Sequence, residues 1–194
     1  FIFQSFNLLP RLSAIDNVAL PLTYKGTSHV KRLEKAAKML KNVDLEDRQY
    51  YLPTQMSGGQ TQRVAVARAL INNPSIVLAD EPTGNLDTGS SVKIMELLKD
   101  IHAAGNTIIM VTHNPELAEY AERFIMLRDG KVEADTKKYD EMLEIVLHSK
   151  KKAKEKAVKE VEADKVDGET SEETEDKPDT HKKSKKKKKK GKKK

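Results

Sequence analysis

Four apolar residues, Ile76 to Ala79, run directly into Asp80 and Glu81. An unbroken apolar run of this length predicts a strand of a parallel sheet covered on both faces. Open α/β sheets take ligands at the carboxyl ends of such strands. An acidic residue there suits Mg²⁺ carried on nucleotide phosphates, directly or through water, because Mg²⁺ favours oxygen ligands and keeps its waters. A second carboxylate beside it suits orienting or deprotonating an attacking water. From these residues alone a solvated strand end reads equally well. Gln4 and His113 follow two further apolar runs, Phe1-Ile2-Phe3 and Thr107 to Thr112. Both therefore fall at the same edge of such a sheet, available to one ligand although far apart in sequence.

Ser57-Gly58-Gly59-Gln60 opens a helical pattern that runs to about Leu70. Ser is a good N-cap, and two glycines let a ligand approach the backbone amides closely. The helix behind them points the positive end of its dipole at that ligand. An anion, phosphate above all, is the natural guest; a plain Gly-rich helix start is the alternative.

The remaining pattern supplies the elements that position these groups. Ser13 with Asp16 three residues on predicts a capped helix, which Pro21 should end or bend. Ser28 begins a second helix, with Val30, Leu33, Ala36, Ala37, Leu40 and Val43 on its apolar side. Asn72-Asn73-Pro74 stops the third helix. A helix from about Thr88 to Ala104 should bury Val92, Met95, Leu98 and Ile101 before Gly105 ends it. Asn114 and Pro115 suit the cap and first position of a short helix, and Asp129-Gly130 suits the turn of a hairpin joining Phe124–Leu127 to Lys131–Glu133. Strands alternating with helices at these lengths indicate an α/β domain with a largely parallel sheet. The expected organisation is a core strand end and loop over 1–12, a helical subdomain over 13–72, the remainder of the core over 73–137, and a helical then disordered Lys-rich tail over 138–194.

Charge separates the tail from the rest. Residues 148–194 hold 19 Lys against 11 Asp and Glu, whereas the residues before them hold 17 basic and 19 acidic side chains. The formal net charge of +6 thus belongs to the tail and is a poor argument for nucleic-acid binding by the domain. The run Lys185 to Lys190 suits an anionic membrane surface, with a solvated tail as the alternative. Cysteine is absent, which excludes disulfides and thiolate metal sites. No apolar run approaches the roughly 18 residues that span a bilayer, so a role at a membrane would need a partner. His29, His102, His148 and His181 have no motif around them and read as surface residues. Tyr50-Tyr51 reads as packing.

Together the segments resemble a known family. Met56-Ser57-Gly58-Gly59-Gln60-Thr61-Gln62-Arg63 and the helix through Leu70 resemble the signature segment of ABC ATPases. Val77-Leu78-Ala79-Asp80-Glu81-Pro82-Thr83-Gly84-Asn85-Leu86-Asp87 resembles a Walker B strand followed by a D-loop. Val111-Thr112-His113 resembles the switch-histidine segment, and Phe3-Gln4-Ser5-Phe6 the Q-loop. The similarity covers residues 1–136, and the wording around Asn7 to Leu22 is most similar to macrolide and peptide exporters, lipoprotein-release machines and a cell-division complex. Met56 stands where Leu is usual, a volume-conserving change, and Thr61 where Gln is common.

The resemblance implies a P-loop NTPase-like parallel core with an inserted helical subdomain, and it implies roles. Asp80 would support Mg²⁺, and Glu81 would be the catalytic base. Gln4 would sense Mg²⁺ and the γ-phosphate while linking to the membrane subunit. His113 would contact the γ-phosphate, and Asp87 would couple two sites across a dimer. Ser57, Gly58, Gly59 and Gln60 would grip ATP bound by the opposite subunit. The implied cofactors are ATP and Mg²⁺, and the implied partners are a transmembrane permease and a second ATPase subunit, at the cytoplasmic face of the membrane.

No Gly-x-x-x-x-Gly-Lys occurs in the sequence. The expectation is a chain that starts after its Walker A loop and adenine-stacking aromatic, lacks N-terminal strands of the sheet, and is inactive alone. Two other functions share the motifs. Soluble ATPases of chromosome maintenance and repair insert long coiled coils before the signature, whereas here a compact helical block without sustained heptads separates Gln4 from Ser57; translation members carry two tandem cassettes. A regulatory subunit of a cell-wall or division complex is compatible with the helical block.

Overall fold

The computed structural model describes residues 1–149 and 151. The chain divides into two compact units, Phe1–Val146 and Leu147–Lys194, and every element named below lies in the first. The expectations for a disordered tail, its Lys-rich membrane contact and His181 lie outside the described residues.

Three helices come first: α1 (Ala14–Tyr24), α2 (His29–Asn42) and α3 (Gly58–Leu70). The Ser13 hydroxyl accepts from the Asp16 amide as the N-cap of α1. Pro21 lies inside α1 and does not end it. Its missing N–H costs one helical bond, but Val18, Ala19 and Leu22 are buried around it, and each well-buried aliphatic contributes about 1.5–3 kcal/mol. Ser28 occupies the N-cap position of α2 without a side-chain cap bond. On that helix Ala36 and Leu40 are fully buried, whereas Val30 is exposed, against expectation. Val30 sits in the first turn, before α2 comes under its neighbours. The three helices share one core, built from residues such as Ala14, Val18, Leu40, Val64 and Ala67.

The α/β core follows as β1 (Ile76–Asp80), α4 (Thr88–Ala103) and β2 (Thr107–Val111). β1 and β2 pair in parallel, with Leu78 opposite Ile109 and Asp80 opposite Val111. On the other side of β1, Ile2 forms a parallel bridge to Ala79, through Ile2 N–H to Leu78 O at 2.8 Å and Asp80 N–H to Ile2 O at 2.9 Å. β1 is thus flanked by parallel chain on both edges. A second core holds Ile2, Val66, Val77, Ala79, Ile94, Met95 and Leu98. α3 walls off the two cores, giving Val64 and Ala67 to one and Val66 to the other.

Two expectations about burial fail here. Only one face of β1 and β2 is covered among the described residues: Val77 and Ala79 are buried, but Ile76 is 54% exposed, Leu78 40% and Ile109 51%. Side chains alternate along a strand, and α3 and α4 pack on one side only. On α4, Ile94 is buried in place of Val92, which is exposed. Ile94 precedes Met95, Leu98 and Ile101 at helical spacing, whereas Val92 lies off that stripe.

Asn114 caps a 3-10 turn, Pro115–Tyr120, by accepting from the Glu116 amide. β3 (Phe124–Arg128) and β4 (Lys131–Thr136) then form an antiparallel hairpin. Asp129 and Gly130 both have positive φ, 48° and 74°, as a tight hairpin turn needs. Residues 139–146 are helical. No described helix is long and apolar enough to cross a membrane.

Candidate functional site

The carboxyl end of β1 builds the first half of the site. Asp80 lies on the same face as Ile76 and Leu78 and is exposed. At Glu81 the extended backbone breaks to a φ of 44°, a conformation that costs a non-glycine residue about 1–3 kcal/mol unless its surroundings hold it. They do. Its amide donates to Val111 O at 2.9 Å, and its carboxylate is turned toward the end of β2. Oε1 accepts from the His113 amide at 2.7 Å and from His113 Nδ1 at 2.6 Å, while Oε2 accepts from the Thr112 hydroxyl at 3.0 Å. The contact fixes the proton of the His113 ring on Nδ1. Thr112 is itself held, accepting from the Asn114 amide at 3.1 Å.

The Glu81 side chain is 16% exposed and that of His113 85%. Burial pushes the Glu81 carboxyl up, as the largest single influence, but hydrogen bonds from the His113 ring, the His113 amide and Thr112 together pull it below its ordinary value. It is a carboxylate at neutral pH.

Gln4 joins from the neighbouring segment. Its carbonyl accepts from Asn85 Nδ2 at 3.1 Å, and its amide lies against Gly84, where an added Cβ would stand 2.7 Å from Gln4 Nε2. The sheet therefore gathers Gln4, Asp80, Glu81 and His113 at one edge, as expected from three separate stretches of sequence.

The second half is the start of α3. Ser57 and Gln60 form a reciprocal capping box, Gln60 N–H to Ser57 Oγ at 3.3 Å and Ser57 N–H to Gln60 Oε1 at 3.0 Å. Two of the helix's free amides are thus satisfied internally. Gly58 packs on Leu86, and Gly59 on Ser90 at the start of α4. Asp87 is the N-cap of α4, accepting from Ser90 N–H at 2.9 Å. Hydrogen bonding from the Ser90 side chain, and then from its amide, lowers the Asp87 carboxyl below the ordinary value. Beside this junction lies a cleft of about 140 Å³ lined by Ser57, Gly59, Gln60, Arg63, Ser90 and Lys93. It has two cationic side chains and no carboxylate, a suitable surface for an anion.

No cluster of three or more His, Asp or Glu side chains suited to a metal exists among the described residues. A Mg²⁺ carried in by a nucleotide takes one or two protein oxygens and draws the rest from phosphates and water. The exposed Asp80 carboxylate at the end of β1 offers one such oxygen.

Three buried or half-buried polar residues escaped the reading of the sequence. Asn17 is fully buried and ties down the loop before α1, donating to Leu9 O, Leu12 O and Ser13 O and accepting from Leu9 N–H. Arg68 donates to Phe6 O at 2.8 Å and to Asn7 O, clamping two consecutive residues of positive φ, 63° and 48°. Gln62 is also fully buried. Only an unusual polar residue on the apolar side of a helical pattern could have signalled them. Tyr50, expected to pack, is 75% exposed, while Arg48 lies 4.7 Å over the ring of Tyr51. The surface assignments of His29, His102 and His148 hold.

Comparison with known proteins gives this geometry a family. The ABC transporter family model matches residues 1–84, and the chain belongs to the ABC transporter ATP-binding family over the part that matches. It is 50% identical to the ABC transporter ATP-binding protein YvrO of Bacillus subtilis, over 70% of this chain and 59% of that protein. It is 49% identical to the macrolide export ATP-binding/permease protein MacB 2 of Aeromonas hydrophila, over 70% of this chain and 21% of that protein. Among solved structures, the ATP-binding cassette MJ0796, a dimer in a post-hydrolysis state bound to ADP and Pi, superposes with a TM-score of 0.62 at 48% identity. That alignment covers 71% of this chain and 61% of the other. The chain thus spans about three fifths of the length of these single-cassette relatives.

Proposed function

We propose that this chain is the ATP-hydrolysing subunit of an ABC transporter, driving export or lipoprotein release through a transmembrane permease by ATP-dependent dimerisation. The observation that carries the reading is the Glu81 carboxylate, held ionised at the end of β1 by His113 and Thr112. In this proposal Glu81 accepts the proton of the attacking water. The exposed His113 ring swings from Oε1 to the γ-phosphate, which frees that oxygen for the water. Asp80, with Gln4 beside it, holds Mg²⁺, which when bound neutralises charge developing on the phosphates. Ser57, Gly58, Gly59 and Gln60 grip nucleotide held by a second subunit, and Asp87 couples the two sites. This places the chain at the cytoplasmic face of a membrane through its permease.

The likeness to a dimeric cassette bound to ADP and Pi supports a paired arrangement, and relatives named macrolide export ATP-binding/permease proteins support a membrane partner. Residues 1–194 contain no Gly-x-x-x-x-Gly-Lys loop. Such loops hold phosphates on backbone amides and a Lys, so we expect these residues alone to show no turnover. The natural protein should supply that loop.

Glu81→Gln tests the dimer. The amide cannot accept the water's proton, so ATP should persist and keep two subunits together. Size-exclusion chromatography of the natural protein with ATP and Mg²⁺ should then show a dimer in Glu81→Gln that disperses in the parent. A monomer in both, at saturating ATP, would remove the dimerisation mechanism.

A further inference from the structure

Gln62 stands two residues beyond Gln60 within the signature segment, on the buried side of α3, and is fully enclosed. Its Nε2 donates to Pro82 O at 2.6 Å and reaches Phe3 O at 3.4 Å. Pro82 directly follows Glu81, and Phe3 directly precedes Gln4. One side-chain amide thus touches the backbone beside both sheet-edge residues while anchored in the helix that begins with Ser57-Gly58-Gly59-Gln60.

The orientation of this amide follows from chemistry. Both neighbours are carbonyl oxygens, so the NH₂ group must face them. Its own Oε1 is left buried with no hydrogen-bond partner. Such an orphaned carbonyl is costly, and an apolar side chain of the same length would avoid that cost. A group this ill-suited to stability alone, placed where three chain segments meet, points to a geometric role.

We infer that Gln62 is a positioning residue, fixing the signature end of α3 relative to Gln4 and Glu81 so that both halves of the site face nucleotide in register. α3 lies between two apolar cores, and Arg68 on the same helix bonds Phe6 O and Asn7 O but, among the described residues, nothing on the Glu81 side of the site. The Gln62 amide supplies a directional link. The inference rests on the proposed ATPase reading for its catalytic consequence, but its hydrogen bonds can be tested without it.

The first measurement is side-chain amide exchange in the natural protein, by NMR. The Gln62 NH₂ protons should exchange about 100-fold or more slowly than those of the solvent-facing Gln55, as enclosed, bonded protons do. Exchange at the rate of Gln55 overturns the inference. The second is Gln62→Met, which keeps length and volume while deleting the donors. ATP KM should stay within about twofold and kcat should fall about tenfold or more, the pattern of an arrangement needed only in the transition state. Turnover within twofold of the parent overturns the positioning role. Should Gln62→Met not fold, the exchange measurement on the parent decides. A parent whose turnover is indifferent to Glu81→Gln would instead sink the ATPase reading, and the two failures are therefore separable.

Discussion

Gly59→Ala should push the two halves of the site apart by a calculable amount. A Cβ at Gly59 would lie 2.7 Å from Ser90 Oγ and 2.9 Å from Ser90 Cβ. The hydroxyl oxygen can rotate away; the Cβ cannot, because Ser90 N–H is bonded to Asp87 at the N-cap of α4. Carbon atoms settle at about 3.5–4.0 Å, so the starts of α3 and α4 must separate by roughly 0.6–1 Å. Overpacking of this kind costs about 1–3 kcal/mol, and the Gly-to-Ala gain in helix propensity, at most ~1 kcal/mol, returns part of it. The net loss should be about 1–2 kcal/mol. Ser90→Gly deletes both obstructing atoms and leaves only Ser90 Cα, 3.9 Å away, an ordinary contact. Adding Ser90→Gly to Gly59→Ala should therefore recover most of the loss. Urea unfolding of the parent, both single variants and the double variant measures the coupling, expected at about 1–2 kcal/mol. Effects that add to within about 0.5 kcal/mol would refute the contact, and with it the packing of the signature segment on α4.

Two further outcomes follow from buried and exposed polar groups. Asn17→Ala deletes one accepted bond and two N–H donors shared among three carbonyls in the loop before α1; at roughly 1 kcal/mol per full bond it should cost about 3 kcal/mol in urea unfolding, and a loss below about 1 kcal/mol would contradict the network. His102 has a raised pKa because Nδ1 faces Asn106 O and Nε2 faces the Glu122 carboxylate. Its contribution should be complete below the unfolded value of about 6.5 and lost as pH rises through the higher folded value. His102→Gln should flatten that part of the urea-midpoint profile, and an unchanged profile would count against the bridge.

Much of this was legible because it is written locally. Caps and turns announce themselves within four residues, as Ser13, Ser57, Asn114 and Asp129-Gly130 did, and each has the predicted bond or dihedral angle. The four edge residues were legible because they close three apolar runs, Asp80 and Glu81 ending one of them together. What stayed hidden was long-range. Gln62 and Arg68 bond to chain 20 to 62 residues away, and no local pattern encodes such a partner. The one-sided burial of β1 among the described residues was equally hidden, because an apolar run looks the same whether one side or both are packed. Pro21 and Val92 show packing and helical phase deciding what a residue type alone does not.

The account turns on Glu81. The direct test is phosphate release from Mg²⁺-ATP by the natural protein, comparing the parent with Glu81→Gln under single-turnover conditions. Losing the general base should slow the chemical step by about 10²-fold or more while ATP binding is retained. Hydrolysis by Glu81→Gln at the parental rate would contradict the assignment of Glu81 as the base and the site built around it.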